Sequence, residues 1–366
     1  MIARRTIRVS AWPAFSNKGS NPYQFNLYTH MADGAHVQEL SLKLNSVVRA
    51  LHDRPDVVHI HWLDKVLWNT SARLASWNMI KLAVMLRCLS AFGTKVVWTV
   101  HDPSLHAISA NAFLHTRLGR LLYSFYSNQV ICSISGLIFL SREHVEGIQQ
   151  SFPRFRRLPY AVMPHPHYVG SYPNQVSRGE ARGALGIEQR VPLITFVGQI
   201  RPYKNVESLI SAFREYAEPK ARLLIAGKPD SPAYEENLRA MLKGDSRITI
   251  EAKFIPDDRL QYFINAADVL VLPFSKATNS GSVALAMSFS RPTAVPDIPV
   301  FREVQEIVGR EWLYLFKGEL NPTEIAKILD WAASTTRPSQ PNLDPLSWEA
   351  AAKNTLRFYE KIVLAK

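Results

Sequence analysis

Cysteine is almost absent: Cys88 and Cys132, both in apolar surroundings, cannot build a disulfide framework, and a reducing cytoplasm fits that usage. Long apolar runs are missing too, since the longest uncharged one, Val130 to Ser141, is too short to cross a bilayer. Arginines at positions 4, 5 and 8 fall where the apolar centre of a signal peptide would lie, so none is expected and any membrane contact should be peripheral. Neither G-x-G-x-x-G after the first strand nor G-x-x-x-x-G-K-[ST] occurs, which argues against a dinucleotide dehydrogenase and a P-loop NTPase. Only 16 glycines and 20% charged residues exclude a fibrous repeat and a disordered chain.

What is present is a chain of 366 residues, 47% hydrophobic, long enough for two domains with full cores. Forty-three basic against 31 acidic residues leave a net charge of +12. Such a surplus calls for an anionic partner, and no nucleic-acid motif accompanies it, which leaves anionic membrane or phosphorylated substrates.

Apolar runs and helical periodicities alternate along the chain. Strands are expected at Thr6 to Trp12, Val57 to His61, from Lys95 into His101 and Asp102, and around Gly136 to Leu140. Helices are expected at Gln24 to Ala32, Leu44 to Leu51, Ser71 to Phe92 and Asn111 to Tyr126. The last of these carries Leu114, Leu118, Leu121, Leu122 and Phe125 on one stripe with His115, Arg117 and Arg120 among them; residues 71–92 set Arg73, Lys81 and Arg87 beside Trp77 and Met85. Each reads either as a helix packed on a sheet or as a basic amphipathic face for an anionic membrane. Five prolines and three arginines between Pro153 and Pro173 read as an interdomain linker, after which strand and helix alternate again. Two parallel α/β domains result, 1–165 and 166–345, with a terminal helix, 346–366, expected to cross back to the first.

The second half opens on Val191 to Tyr216, VPLITFVGQIRPYKNVESLISAFREY, read as strand, loop and helix. Gly198 ends the strand in a sharp turn, and the next helix aims its N-terminal amides and dipole at whatever occupies that turn. Arg201 and Lys204 add two cations there: an anion site, or simply solvated surface. Further on, Asn279, Ser280, Gly281 and Ser282 stand before a helix start. Small residues there leave amides open to a phosphate, or one serine merely caps the helix. Two such loops in one domain point to a diphosphate.

G-Q-I-R-P-Y-K-N at 198–205, A-D-V-L-V-L-P-F at 267–274 and the terminal S-W-E resemble the C-terminal domain of GT-B glycosyltransferases. N-P-Y-Q at 21–24, H-I-H-W at 59–62 and N-S-G-S followed by L-A-M-S-F-S-R-P extend the likeness to the GDP-mannose:glycolipid 4-beta-D-mannosyltransferases of xanthan-type exopolysaccharide assembly. The resemblance implies a GT-B fold, two Rossmann-like parallel-sheet domains facing across a cleft. It further implies transfer of mannose from GDP-mannose to a polyprenyl-diphosphate-linked oligosaccharide, on the inner face of the plasma membrane. Arg201, Lys204, Asn279, Ser280, Gly281 and Ser282 would hold the donor diphosphate, Asn21 and Tyr23 would belong to the acceptor loop, and no metal or further cofactor is implied.

One departure is informative. Retaining GT-B enzymes of the commonest type carry two glutamates eight positions apart; aligned through Met287 and Pro292, those positions hold Ala277 and Leu285. Inversion by single displacement, with a general base on the acceptor side, is the expectation. Asp64, just past one N-terminal strand, is the first candidate base. His101, past another, is the second, or else it hydrogen-bonds the donor sugar; Asp102 reads as a turn cap before Pro103. His59 and His61 share a strand face and could in principle hold a metal, as could His165 and His167, but a diphosphate gripped by cations and helix termini needs none. Rival expectations are a retaining transferase using a UDP-sugar, a sugar-nucleotide epimerase, and an inactive nucleotide-sugar-binding protein. The loops around Pro229 and Phe254, which would read the base of the nucleotide, carry no signature for guanine over uracil.

Overall fold

The computed structural model describes residues 6–19, 21–67, 71–101, 116–277 and 281–364. The chain divides into two compact units, Met1–Pro164 with Trp348–Lys366, and His165–Ser347. The first runs β1 (Ile7–Trp12), α1 (Tyr23–Thr29), β2 (Ala35–Glu39), α2 (Leu44–Asp53), β3 (Val57–Ile60), α3 (Ala72–Ala91), β4 (Lys95–Val100), α4 (Arg117–Ser133), β5 (Ile134–Phe139), α5 (Glu143–Ser151) and β6 (Tyr160–Val162). Its strands are all parallel, in the order β2-β1-β3-β4-β5-β6. Because strand residues alternate between faces, Val58, Ile60, Val96 and Trp98 enter the core under α3 and α4, and His59 and Thr99 point the other way.

The second unit runs α6 (Arg178–Ala184), β7 (Leu193–Val197), α7 (Val206–Glu215), β8 (Arg222–Ala226), α8 (Pro232–Leu242), β9 (Ile248–Glu251), α9 (Asp257–Ala266), β10 (Val269–Val271), α10 (Gly281–Ser288), β11 (Thr293–Pro296), α11 (Pro299–Val308), β12 (Leu313–Phe316) and α12 (Pro322–Ser334). Here the parallel order is β12-β11-β10-β7-β8-β9. The buried guanidinium of Arg182 ties α6 to the sheet, bonding the carbonyls of Ala266 and Val191 and the Asp268 carboxylate. The last helix, α13 (Trp348–Leu364), belongs to the first unit and packs on α1. Gly136 makes room for it, since a Cβ there would lie 2.9 Å from the Phe358 ring.

Some local expectations are corrected. The proline-rich stretch is a linker only in its later part: residues 153–157 form a 3₁₀ turn that buries Phe155 completely, and residues 160–162 pair with β5 as an edge strand. Proline before and after short apolar runs punctuates structure here instead of dissolving it. β2 was not expected, being a short edge strand with only Ala35 fully buried. α4 continues to Ser133, well past Tyr126, because Val130 packs in the core.

Candidate active site

In the second unit the strand order reverses between β7 and β10, where open α/β sheets place ligands beyond the strand carboxyl ends. Here the chain crosses itself closely. A Cβ on Gly227 would sit 1.8 Å from the Gly198 carbonyl oxygen, so both loop backbones meet where no side chain fits. A Cβ on Gly198 would in turn lie 3.1 Å from Lys204 Nζ and 3.7 Å from Ser282 Oγ. The bare glycine is thus the floor of a small cradle walled by the ammonium on one side and the first turn of α10 on the other. Asn205, at φ +54°, turns the loop into α7 immediately after Lys204.

Lys204 is 7% exposed, flanked by the rings of Phe274 and Phe196 at 5.6 and 5.9 Å, and among the described residues no carboxylate pairs with it. Burial, and then the neighbouring Arg201 charge, push its pKa down to about 8. Arg201 is exposed, with Nε 4.0 Å from Asp230, a contact too loose and too solvated to occupy it. Two cations are thus held together against their repulsion, one of them desolvated. Gly281 lies against Tyr168 and His165: a Cβ would meet the Tyr168 hydroxyl at 3.4 Å and His165 Nε2 at 3.6 Å. His165 is half-buried, and desolvation of its ring pushes its pKa down to about 4, so it stands neutral beside the helix start. Ala277 and Leu285 both pack against the apolar core. Asn279 and Ser280 lie outside the described residues.

In the first unit the order reverses between β1 and β3. The loop after β1 is held by Glu39, whose Oε2 accepts the amides of Ala14, Phe15 and Ser16 at 3.0, 2.7 and 3.1 Å. Asn21 Oδ1 accepts the Tyr23 amide at 3.0 Å and so opens α1. Tyr23 is buried edge-on among His101 (5.1 Å), His61 (5.9 Å) and Trp348 (5.4 Å), which makes it a wall behind His101 and not an open loop residue. His101 is half-buried, stacked on Trp62 at 4.9 Å, with Nε2 2.9 Å from His61 Nδ1. Asp64 lies in a 3₁₀ turn, Leu63–Leu67, but its side chain is outside the described residues, as is Asp102 altogether.

Behind His101 runs a chain of contacts that periodicity could not show. The Tyr28 hydroxyl lies 2.6 Å from His61 Nε2 and 2.8 Å from His59 Nδ1; the Tyr359 hydroxyl is 2.6 Å from that same Nδ1; and His59 Nε2 is 2.7 Å from Thr99 Oγ1. All four ring nitrogens of the His59/His61 pair are engaged in hydrogen bonds. Nδ1 of His165 faces the Pro166 carbonyl and Nδ1 of His167 accepts the Val169 amide. Among the described residues no group of three histidine, cysteine, aspartate or glutamate side chains is placed to hold a metal ion.

A six-stranded parallel sheet in each unit, with its order reversing once, is the architecture of the GT-B class, and residues 191–333 match the family Glycosyl transferases group 1. The chain is a GT-B glycosyltransferase carrying a group 1 domain. Over 347 residues it is 25% identical to the GDP-mannose:glycolipid 4-beta-D-mannosyltransferase of Xanthomonas campestris pv. campestris, covering 94% of this chain and 89% of that one. Among solved structures, sucrose-phosphate synthase from Thermosynechococcus elongatus superposes with a TM-score of 0.65 at 15% identity, covering 99% of this chain and 100% of that one. Anabaena HepE in complex with UDP and glucose gives 0.62 at 14% identity, covering 98% and 97%.

Proposed function

We propose that this chain transfers mannose from GDP-mannose, with inversion, to a polyprenyl-diphosphate-linked oligosaccharide, as a step of exopolysaccharide assembly. The observation that carries the reading is the similarity to the Xanthomonas mannosyltransferase along nearly the whole chain. The group 1 domain and the adjacent cations Arg201 and Lys204 support a nucleotide-diphosphate donor, and the apolar environments of Ala277 and Leu285 support a mechanism without the two glutamates.

In the reaction, an acceptor hydroxyl attacks the anomeric carbon, its proton passes to a general base, and the bond to the β-phosphate oxygen breaks. Arg201 and Lys204 meet the charge that develops on that oxygen, with Gly281 and Ser282 at the start of α10 beside them. Of the two candidate bases, His101 has a ring held in place on three sides, and we assign it the role; Asp64 is the rival. Loss of transfer in His101→Ala with retention in Asp64→Ala is expected, and the reverse would exchange the two.

Calorimetric titration with GDP, with UDP in parallel, tests the donor. Preference for GDP is expected. Preference for UDP would discard mannose transfer but keep the enzyme class, and nucleotide binding without transfer across donors and acceptors would favour an inactive binding protein.

The acceptor is lipid-linked, and the first unit offers a surface for its membrane. Leu74 and Trp77 at the start of α3, and Leu118, Leu121 and Phe125 at the start of α4, are exposed, Leu121 by 69%, beside the exposed Arg73, Arg117 and Arg120. Apolar side chains among cations on two packed helices suit the cytoplasmic, anionic face of a plasma membrane. The protein is expected to sediment with vesicles containing anionic lipid and not with neutral ones. Leu118→Glu with Leu121→Glu should abolish this, and salt-insensitive binding would contradict it.

A further inference from the structure

We propose that His61 is a positioning residue for His101, fixing the proton of His101 on Nε2 through a buried hydrogen-bond chain that Tyr28 and His59 extend and Tyr359 of α13 completes. This rests on the reading of His101 as the base.

The polarity is set by taking Tyr359 as the donor at the far end of the chain. The Tyr359 hydroxyl is fully buried and 2.6 Å from His59 Nδ1. Imidazole nitrogen is a better acceptor than the neighbouring phenol oxygen of Tyr28, so Tyr359 donates to Nδ1. His59, neutral in the apolar interior, then carries its hydrogen on Nε2 and donates to Thr99 Oγ1, 2.7 Å away. The one lone pair of Nδ1 is then taken, and Tyr28, which is hydrogen-bonded to Tyr359, donates to the Tyr359 oxygen. Its oxygen therefore accepts from His61 Nε2 at 2.6 Å. That leaves His61 Nδ1 without hydrogen, able only to accept from His101 Nε2 at 2.9 Å. The basic nitrogen of His101 is then Nδ1.

Burial keeps the chain neutral: His59 is pushed down to about 3, His61 well below its usual value, and Tyr28 and Tyr359 well above theirs. The groups that face His61 are Tyr23 and Tyr28 from α1, His59, His101 and Lys65, with Glu39 acting on Tyr28 and Lys65 from β2. Lys65 and the two histidines all disfavour a charge on His61. A proton accepted by His101 Nδ1 therefore stays on His101, whose Nε2–H points at a fixed lone pair. Orientation, not proton relay, is what the chain supplies, as a carboxylate does for a histidine elsewhere.

Full-length protein labelled with ¹⁵N-histidine reads this directly. Nε2 of neutral His101 is expected to carry the proton in the wild type, and Tyr359→Phe and Tyr28→Phe, both near-isosteric, are expected to give a tautomer mixture at His101 without loss of fold. His61→Asn, which keeps an acceptor where Nδ1 stood, should retain kcat within about threefold, whereas His61→Leu should lower kcat by about tenfold or more with KM within about twofold and shift the acid limb of its pH profile. A proton on Nδ1 of wild-type His101, or a His101 tautomer indifferent to both tyrosine variants, would overturn the proposal. The stated tautomer together with full transfer by His101→Ala would support the hydrogen-bond chain and dismiss His101 as base.

Discussion

Lys204→Ala is expected to lower kcat/KM by about 100-fold, and Arg201→Ala by about 10-fold, corresponding to roughly 2.7 and 1.4 kcal/mol of transition-state stabilisation. The difference follows from burial. Lys204 is 7% exposed between Phe196 and Phe274, so its charge would act on a departing diphosphate through little water, whereas Arg201 is solvated. The leaving oxygen gains charge as the sugar bond breaks, and a fixed cation serves that state more than the bound donor, so the loss should fall mainly in kcat. Lys204→Met isolates the charge: it fills the same apolar slot, so thermal stability should hold or rise while transfer is lost. Since burial brings the free ammonium down to about 8, kcat/KM for wild-type enzyme should decline as pH rises through that value, because deprotonation removes the charge that draws the diphosphate. Wild-type kinetics in both alanine variants would remove these residues from the site.

Gly227→Ala should be the most damaging small substitution in the second unit, by about 3–5 kcal/mol and roughly 10 °C in Tm. At φ +154° its Cβ would fall 1.8 Å from the Gly198 carbonyl, and what would have to give is backbone, not the end of a flexible side chain. Gly244→Ala is the matched control. Gly244 also has positive φ, +76°, but nothing lies within 4 Å of its Cβ, so only the backbone preference is lost, about 1 kcal/mol. A Gly227→Ala protein as stable as Gly244→Ala in urea unfolding would show that the crossing of the two loops relaxes freely. Because the Gly198 floor moves with that crossing, a folded Gly227→Ala protein should also bind nucleotide more weakly.

Much of this molecule was legible before its structure. The alternation of short apolar runs with helical stripes gave parallel α/β units, since β3 and β7 are buried along their whole length and so read as continuous hydrophobic segments. The turn at Gly198 and the cations at 201 and 204 were visible because they are local, within seven residues of one another. Less legible were β2 and β6, edge strands too short and too exposed to leave a period-two pattern, and the fold of residues 153–162, hidden by a proline density that usually marks a linker. The spacing of His59 and His61 implies a shared strand face, which the structure has, but that geometry suits a metal as well as hydrogen bonds.

The sequence by itself determined the class of fold and the position of the loop that carries Gly198, Arg201 and Lys204, because both depend on residues near one another in the chain and on the simple rule that apolar periodicity follows backbone geometry. Only the tertiary structure decided that Lys204 is desolvated, that Gly227 is pinned by Gly198, and that the nitrogens of His59 and His61 are spent on Tyr28, Tyr359, Thr99 and His101. Burial and hydrogen-bond partners are properties of what the chain brings alongside from afar. Tyr359 and His59 are 300 residues apart, and no periodicity spans that distance.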